Sequence, residues 1–159
     1  MTSRDNHKLI LRETQKYGRA VFANDEIEKD EIIAFWDGLI YNAEKNSDLP
    51  NDFPLMVADH AIQFEKNKWR DSKGLARYIN HSCDPNCGIK GLFSIVAMRN
   101  IKKDEEITWD YEMTENSDWQ MDCRCGTANC RKIIRAYRFL PGEIKIKYQN
   151  YTSAWLKQK

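Results

Sequence analysis

The stretch YINHSCDPNC, residues 78–87, is the part of the sequence that says most about the fold. Within ten residues it holds two asparagines, a histidine, a serine, an aspartate, a proline and two cysteines. It is too polar for a core strand and too rich in chemically specific side chains for a linker. The question it raises is what Cys83 and Cys87 do beside Asn80 and His81.

A second cysteine-rich stretch, CRCGTANC at residues 123–130, has the composition of a metal site. It supplies three thiols within eight residues, from Cys123, Cys125 and Cys130. The glycine that follows the second of them permits a turn that lets neighbouring thiols face one metal. A structural zinc site needs four ligands in a tetrahedron. The other two of the five cysteines are Cys83 and Cys87, so one of them is predicted to close the site.

The alternative interpretation of this cluster is a set of free, partly buried thiols, since cysteine is among the most buried residue types. Three thiols so close together favour a metal. The fifth cysteine is then expected to be a small buried hydrophobe. Four thiolates around Zn²⁺ would leave a net negative charge, which three flanking basic residues could offset: Arg124, Arg131 and Lys132.

The composition is that of an ordinary soluble domain. The 159 residues carry 25 basic and 24 acidic side chains, and this balance argues against a dedicated nucleic-acid binder. No apolar run approaches membrane-spanning length, and the N-terminus lacks an apolar signal core. An odd number of cysteines fits a disulfide framework poorly. We therefore expect an intracellular protein, in the cytosol or nucleus, with delivery into a host cell an option for a microbial protein.

The pattern of apolar residues predicts a mainly-β domain with a short helical C-terminus. Strands are predicted near residues 92–97 and 107–111, with a charged turn at 102–105. The two prolines in residues 48–56 indicate a surface loop. Helical spacing, after a Leu-Pro-Gly sequence, relates four apolar residues near the C-terminus: Ile144, Tyr148, Tyr151 and Trp155.

Four blocks of sequence, in this order, resemble the SET-domain protein-lysine methyltransferases and the cysteine-rich post-SET segment that follows the domain in that family. The blocks are YGRAVFA (17–23), ARYINHSCDPNC (76–87), DEEITWDYE (104–112) and CRCGTANCR (123–131). The second and fourth are specific, whereas the first alone would be weak. The resemblance covers residues 17–134, and the lack of pre-SET cysteines is similar to a stand-alone or microbial member.

The resemblance implies a fold of small curved sheets, of the β-clip type, with a knot-like core. It implies a SET domain at residues 1–114 and a post-SET zinc segment with the C-terminal helix at 115–159, together forming one compact unit. It also implies that the strand leading to Tyr111 lies next to Asn80 and His81. The oligomeric state is left open.

The family's chemistry is the transfer of a methyl group from S-adenosylmethionine to a lysine amine. That amine must be neutral to attack, and burial in an apolar channel near a positive charge lowers its pKa. By resemblance Tyr111 is the catalytic residue, orienting the amine and the methyl group, and Asp110 is structural. The family's fourth zinc ligand stands at the position of Cys83, which is therefore chosen over Cys87.

Other site residues also follow from the resemblance. The cofactor-binding residues are predicted to be Gly18, Arg19, Ala20, His60, Arg77, Tyr78, Asn80 and His81. Ala20 departs from the family, which often has a second glycine there, and its methyl group is expected to alter the geometry without abolishing binding. Tyr41 and Trp109 are predicted to line the lysine channel.

Trp109 is the most informative departure, because many family members have Phe or Tyr two residues before the catalytic tyrosine. In the family this position influences how many methyl groups are added. Trp has no hydroxyl to hold a competing water, which argues for multiple methylation, but its bulk argues for fewer. We hypothesise that Trp109 sets the product state, with the direction open.

The partner implied is a lysine-containing protein or peptide, such as a histone tail, with no direct nucleic-acid or membrane contact. Several acidic residues could form a surface for a basic peptide, or merely a solvated face: Asp52, Glu65, Asp104, Glu105, Glu106, Glu112, Glu115 and Asp118. The main alternative function is an inactive SET-like module that binds peptide or cofactor without turnover. A small zinc protein that binds nucleic acid is a third possibility, which the charge balance disfavours.

Overall fold

The computed structural model describes residues 4–16, 18–42 and 60–157. The loop predicted at 48–56, the first residue of the block 17–23 and Asp52 lie outside these ranges. No helix within them is long and apolar enough to cross a membrane.

The described chain is mainly β, as predicted, and its strands form four small sheets. The strands are β1 (Leu9–Thr14), β2 (Gly18–Ala23), β3 (Ile32–Phe35), β4 (Ile40–Asn42), β5 (Ile62–Glu65), β6 (Lys68–Arg70), β7 (Asn80–His81), β8 (Cys87–Lys90), β9 (Ser94–Ala97), β10 (Thr108–Trp109), β11 (Met121–Asp122) and β12 (Ile133–Ile134). Most have four residues or fewer, because turn residues interrupt the apolar runs so often.

The N-terminal half builds two antiparallel sheets. Strands β1 and β2 form a hairpin, and β2 begins at Gly18, whose φ of 72° suits a residue without a Cβ. The second sheet has the order β4-β6-β5. Its tight turn between β5 and β6 passes through Asn67, which adopts a φ of 61°, a conformation that asparagine tolerates better than most residues.

A five-stranded sheet with the order β3-β9-β8-β10-β7 forms the centre of the protein. Its strands β8 and β9 are an antiparallel hairpin, whereas β10 runs parallel to both β7 and β8. The main hydrophobic core includes isoleucines of this sheet, among them Ile33, Ile89 and Ile95, which are fully buried. The polar pair Asn80–His81, expected to lie outside any core strand, forms the short edge strand β7.

The strand predicted at 107–111 is shorter than expected. Only Thr108 and Trp109 form β10, and Tyr111 begins a 3₁₀ helix at Tyr111–Met113. Asp110 ends the strand because its side-chain Oδ1 accepts a hydrogen bond from the backbone N–H of Glu112, 3.1 Å away, and so caps that helix.

The C-terminal segment is helical only in part. The α-helix α1 spans Gly142–Lys147. In the part of the chain that the structure describes, 3₁₀ turns also occur at Leu75–Tyr78, Tyr137–Phe139 and Ala154–Lys157, besides the one at Tyr111–Met113. The predicted helix stops at Tyr148, whose side chain is fully buried. Beyond it the chain turns, and the carbonyl of Tyr151 accepts a hydrogen bond of 2.8 Å from the N–H of Ile89. Tertiary contact with β8 therefore replaces the next helical turn.

Candidate active site and metal centre

The parallel pairing of β10 with β7 brings together the residues that the sequence analysis placed side by side. Thr108 pairs with Asn80 and Trp109 with His81. The backbone N–H of Tyr111 donates to Nδ1 of His81 at 3.2 Å, and the two rings meet edge to face with centroids 5.2 Å apart. The stretch 78–87 and the stretch 104–112 therefore form one site.

Tyr111 stands where two cavities meet, since its side chain lines both of them. Its hydroxyl donates to the carbonyl oxygen of Ile79 at 3.1 Å. Burial raises the pKa of Tyr111 well above its ordinary value. The phenol therefore stays neutral and acts as a hydrogen-bonding group, not as a phenolate base.

The larger cavity has a volume of about 660 Å³, within the range of sites for drug-sized ligands. It is lined by Lys16, Asn80, His81, Tyr111, Met121, Asp122, Arg124, Cys125 and Ile134. Its wall thus combines apolar side chains with two cations. Asn80 is held in place by a hydrogen bond of 3.1 Å from its Nδ2 to Oε1 of Glu106.

The smaller cavity has a volume of about 30 Å³ and a wall that combines aromatic side chains with aliphatic, polar and charged ones. Three indoles line it with Tyr111: Trp36, Trp109 and Trp119. The ring centroid of Trp109 lies 6.0 Å from that of Trp36 and 5.0 Å from that of Tyr111. His60 and Arg77, two predicted cofactor residues, also line this cavity. Aromatic faces of this kind attract a cationic group.

Two further predicted cofactor residues, Arg19 and Tyr78, form a stacked group with Arg77. The guanidinium of Arg19 lies 4.4 Å from the ring centroid of Tyr78, and that of Arg77 lies 5.7 Å from it. Gly18 is exposed, whereas Ala20 is fully buried in β2. The methyl group of Ala20 is therefore enclosed by protein. It can alter the approach of a ligand only through the residues that surround it.

Tyr41, predicted to line the lysine channel, lies in β4 opposite Trp69 and packs against it. Burial, with the negative charge of Asp71 nearby, raises the pKa of Tyr41. It does not line either of the two cavities among the described residues. Ala61, which belongs to the same cluster as Tyr41, lines the smaller cavity together with Trp109, the other residue predicted to line that channel.

The cysteine stretches converge as predicted. The sulfur atoms of Cys83, Cys123 and Cys125 and one ring nitrogen of His81 all lie within 4.8 Å of one another. The sulfurs of Cys83 and Cys123 are 3.7 Å apart. Cys130 packs against the same cluster, with its thiol 3.7 Å from the carbonyl oxygen of Cys123. Three thiols with a fourth S or N donor are the set that a structural zinc takes.

Cys87 has a different environment. It is fully buried in β8 as part of the main hydrophobic core, and burial raises the pKa of its thiol. In the metal cluster, burial alone would raise the pKa of Cys125, but a hydrogen bond with Thr127 helps to lower it to about 6. A thiol that ionises this readily favours metal binding.

A buried charge network beneath the site was missed by the sequence analysis. The guanidinium of Arg131 lies 2.7 Å from Oδ2 of Asp110 and 3.5 Å from Oε1 of Glu112. Burial raises the pKa of Cys83, whereas the backbone N–H of Arg131, which donates to its sulfur at 3.4 Å, and the positive charge of Arg131 both lower it, in line with the expected role of Arg131 in offsetting thiolate charge. Glu112 and Glu115 are buried, with exposed fractions of 2% and 6%, so placing them on an acidic surface was wrong.

The sequence did contain a signal for this network. Two carboxylates flank Tyr111 in DYE, and an arginine directly follows the last cysteine. Buried acidic residues need a partner. Arg131, which lies in the cysteine-rich segment and reaches the end of β10, is that partner. Without the knowledge that the two stretches meet, the three residues look like surface charges.

Comparison with known proteins defines the class. Residues 18–112 match the family model of the SET domain, which is more than half of the chain. The protein therefore belongs to the SET domain family, as the four blocks indicated.

Several characterised relatives are similar to this chain. A histone-lysine N-methyltransferase from Debaryomyces hansenii, described as H3 lysine-36 specific, is 32% identical over 139 residues, covering 80% of this chain and 19% of the relative. Histone-lysine N-methyltransferase mes-4 of Caenorhabditis elegans is 34% identical over 150 residues, covering 79% of this chain and 16% of the relative. An H3 lysine-4 specific enzyme of Emericella nidulans is 43% identical over 70 residues, covering 38% and 6%. The chain thus spans less than a fifth of each of these relatives.

Solved structures agree with the fold. Two crystal structures of KRYPTONITE, one with mCHG DNA and SAH and one with mCHH DNA, an H3(1-15) peptide and SAH, superpose with TM-scores of 0.60 and 0.61. The first is 24% identical in sequence and covers 79% of this chain and 28% of that chain. The second is 23% identical and covers 83% of this chain and 30% of that chain. At this identity the likeness shows the fold.

Proposed function

We propose that the protein is a protein-lysine N-methyltransferase that uses S-adenosylmethionine. The observation that carries this proposal is the position of Tyr111 between a large cavity and a smaller one lined in part by aromatic side chains. Methyl transfer needs two ligands that enter from different sides and meet at one point. The naming of its relatives as histone-lysine methyltransferases supports the same reaction.

The larger cavity is proposed as the cofactor site. Its volume, its cations Lys16 and Arg124 and its fixed amide Asn80 fit a nucleoside that carries an amino-acid tail. The SAH in the related crystal structures supports this choice. When bound, the cofactor supplies a methyl group on a positively charged sulfur.

The smaller cavity is proposed as the lysine channel. Aromatic faces from Trp36, Trp109 and Trp119 exclude water from the lysine side chain. Loss of water favours the neutral amine, which is the reactive form. The neutral hydroxyl of Tyr111, held by the carbonyl of Ile79, orients the amine, and the protein contributes mainly alignment.

The cysteine cluster is proposed as a structural zinc site that fixes the C-terminal segment to the catalytic centre. The segment also joins the core through hydrogen bonds, from Ser153 N–H to the carbonyl of Met113 and from Ala154 N–H to that of Gly91, both at 2.9 Å. These contacts support treating residues 1–114 and 115–159 as one unit. Metal bound only by the folded chain would stabilise it.

The substrate class proposed is a lysine-containing peptide of a histone H3 type. The relatives' names specify H3 lysines, and one related structure contains an H3 peptide. DNA is present in both related structures, so the absence of nucleic-acid contact stays a prediction for this chain. An intracellular location is part of the same proposal.

The test is transfer of a labelled methyl group from S-adenosylmethionine to recombinant histone H3 and to a mixture of cell proteins. Tyr111→Phe should abolish transfer while the protein still folds, with an unfolding temperature lowered only by the loss of the hydrogen bond to the carbonyl of Ile79. Tyr151→Phe, which removes a surface hydroxyl whose partner is Asp30, is the matched control and should keep full activity. Calorimetric cofactor binding without transfer to any protein would favour the inactive module instead.

A further inference from the structure

The imidazole of His81 makes two different contacts, one with each ring nitrogen. Nδ1 accepts the backbone N–H of Tyr111 at 3.2 Å. Nε2 lies 3.4 Å from the sulfur of Cys83. The side chain is only 6% exposed, so the ring is held between the active-site tyrosine and the metal cluster.

The first contact fixes the proton of the ring. A backbone N–H can only donate, so Nδ1 must be the unprotonated nitrogen. In a neutral imidazole the proton is then on Nε2, the nitrogen that faces Cys83. A protonated Nε2 has no lone pair for a metal, and His81 is therefore excluded as a zinc ligand despite its distance. Cys130, predicted from the sequence, is left as the fourth donor.

The charged groups around the ring fit the neutral form. Oδ1 of Asp110 lies 3.5 Å from Nδ1, but this carboxylate already binds the guanidinium of Arg131 and the N–H of Glu112. The positive charge of Arg131 also disfavours a positive charge on the imidazole of His81.

We propose that His81 is a positioning residue that couples the zinc site to the catalytic tyrosine, donating Nε2–H to the Cys83 thiolate and holding the Tyr111 backbone through Nδ1. This inference rests on the proposed function only in taking Tyr111 as catalytic. The rigid imidazole ring then fixes the backbone of Tyr111 relative to Cys83, a metal ligand.

The environment of Cys83 supports this role. Its sulfur also faces the backbone N–H of Arg131 at 3.4 Å, so two N–H groups point at one thiolate. Such donors spread the negative charge of a thiolate-rich site, and residues that orient metal ligands this way influence metal affinity strongly. Because both ring nitrogens are engaged, any contact of His81 with the cofactor must use its backbone or ring face.

The first experiment measures the ring directly. Nitrogen NMR of the zinc-loaded protein distinguishes the tautomers, and with three histidines in the sequence, the His81→Asn spectrum assigns the signals. We expect a bare Nδ1 and a protonated Nε2. In the cadmium-substituted protein, the cadmium shift should indicate four sulfur ligands. A coupling between cadmium and the imidazole, or a bare Nε2, would overturn the proposal.

The second experiment separates the two contacts with amide side chains. Asn can replace Nδ1 as an acceptor for Tyr111 but does not reach Cys83, so His81→Asn should weaken zinc binding by about 10- to 100-fold. Gln can place its amide N–H near the position of Nε2, so His81→Gln should keep zinc affinity close to wild type and lower kcat. His7→Asn, at an exposed histidine, is the matched control.

Competition with a chromophoric chelator gives the zinc affinity without any substrate, so these results stand even where no methyl transfer is found. Unchanged zinc affinity in His81→Asn would overturn the proposal. Equal losses of zinc affinity in both variants would also overturn it, because a merely structural histidine does not distinguish its two nitrogens.

Discussion

Arg131 and Asp110 form a buried ion pair in which Nη2 of the guanidinium lies 2.7 Å from Oδ2 of the carboxylate. Asp110 directly precedes Tyr111, and Arg131 directly follows Cys130. The pair therefore ties the cysteine-rich segment to the turn that carries Tyr111, the proposed catalytic residue, and it needs no metal to do so.

Replacing Arg131 should destabilise the protein strongly. In Arg131→Met the fully buried carboxylate of Asp110 loses its charged partner, and breaking one side of a buried pair costs about 3–5 kcal/mol. Urea unfolding of the zinc-loaded protein measures the loss. Lys132→Met, at the exposed neighbour, is the control and should change stability little. The double variant with Asp110→Asn should recover part of the loss, and equal stability of Arg131→Met and wild type would contradict the pairing.

Removal of zinc should lower stability through a specific set of cysteines. A ligand bound only by the folded state stabilises it by about 4 kcal/mol when its free concentration is 1,000 times Kd. Thermal unfolding with and without a chelator measures this increment. The stabilisation by zinc should vanish in Cys125→Ser and persist in Cys87→Ser, although the second variant disturbs the core. An increment lost equally in both would contradict the assignment of Cys87 to the core.

Trp109→Phe should shift the products toward higher methylation. The indole is 2% exposed and its ring lies 5.0 Å from that of Tyr111, so a smaller ring leaves room for added methyl groups beside the tyrosine. Mass spectrometry of the modified peptide over time gives the product distribution. Trp155→Phe, at an indole that donates to the carbonyl of Thr114, is the matched control. An identical distribution in wild type and Trp109→Phe would remove Trp109 as the determinant.

Glu112 should make stability fall as the pH rises. Burial, with the charge of Asp110 beside it, raises the pKa of Glu112 to about 7, whereas glutamate in an unfolded chain titrates near 4.3. Between about pH 4.3 and about pH 7 the folded state binds more protons, so the stabilisation present below this window is lost across it. Urea unfolding of wild type and Glu112→Gln at a series of pH values isolates this effect. As the pH rises, the free energy of unfolding of Glu112→Gln should increase relative to that of wild type. Parallel curves for the two proteins would contradict the prediction.

The pattern of apolar residues predicted the mainly-β character. The meeting of Tyr111 with Asn80 and His81, and the choice of Cys83 to join the cysteine stretch, came from the resemblance to the SET family, because both depend on contacts between distant segments. Cys87 was also predicted correctly as a buried core residue, because a four-ligand site has no place for a fifth sulfur.

What could not be predicted depends on contacts between distant segments. The helix through Ile144 and Tyr148 ends early because the chain beyond it hydrogen-bonds to β8, and no local pattern announces that contact. Glu112 looks like a surface charge until Arg131 is known to lie beneath it. The position of Tyr41 against Trp69 likewise depends on how β4 pairs, which its three residues do not specify.

The separation between Cys83 and its metal partners has a consequence for how the protein is made. Cys83 precedes Cys123 by 40 residues, and β10, which must lie beside β7 for the cluster to form, is synthesised between them. A ribosome-bound chain that has not yet reached the second cysteine stretch offers a metal one ligand from this set. The proposed site can therefore hold zinc with all its ligands only after the second cysteine stretch has been synthesised.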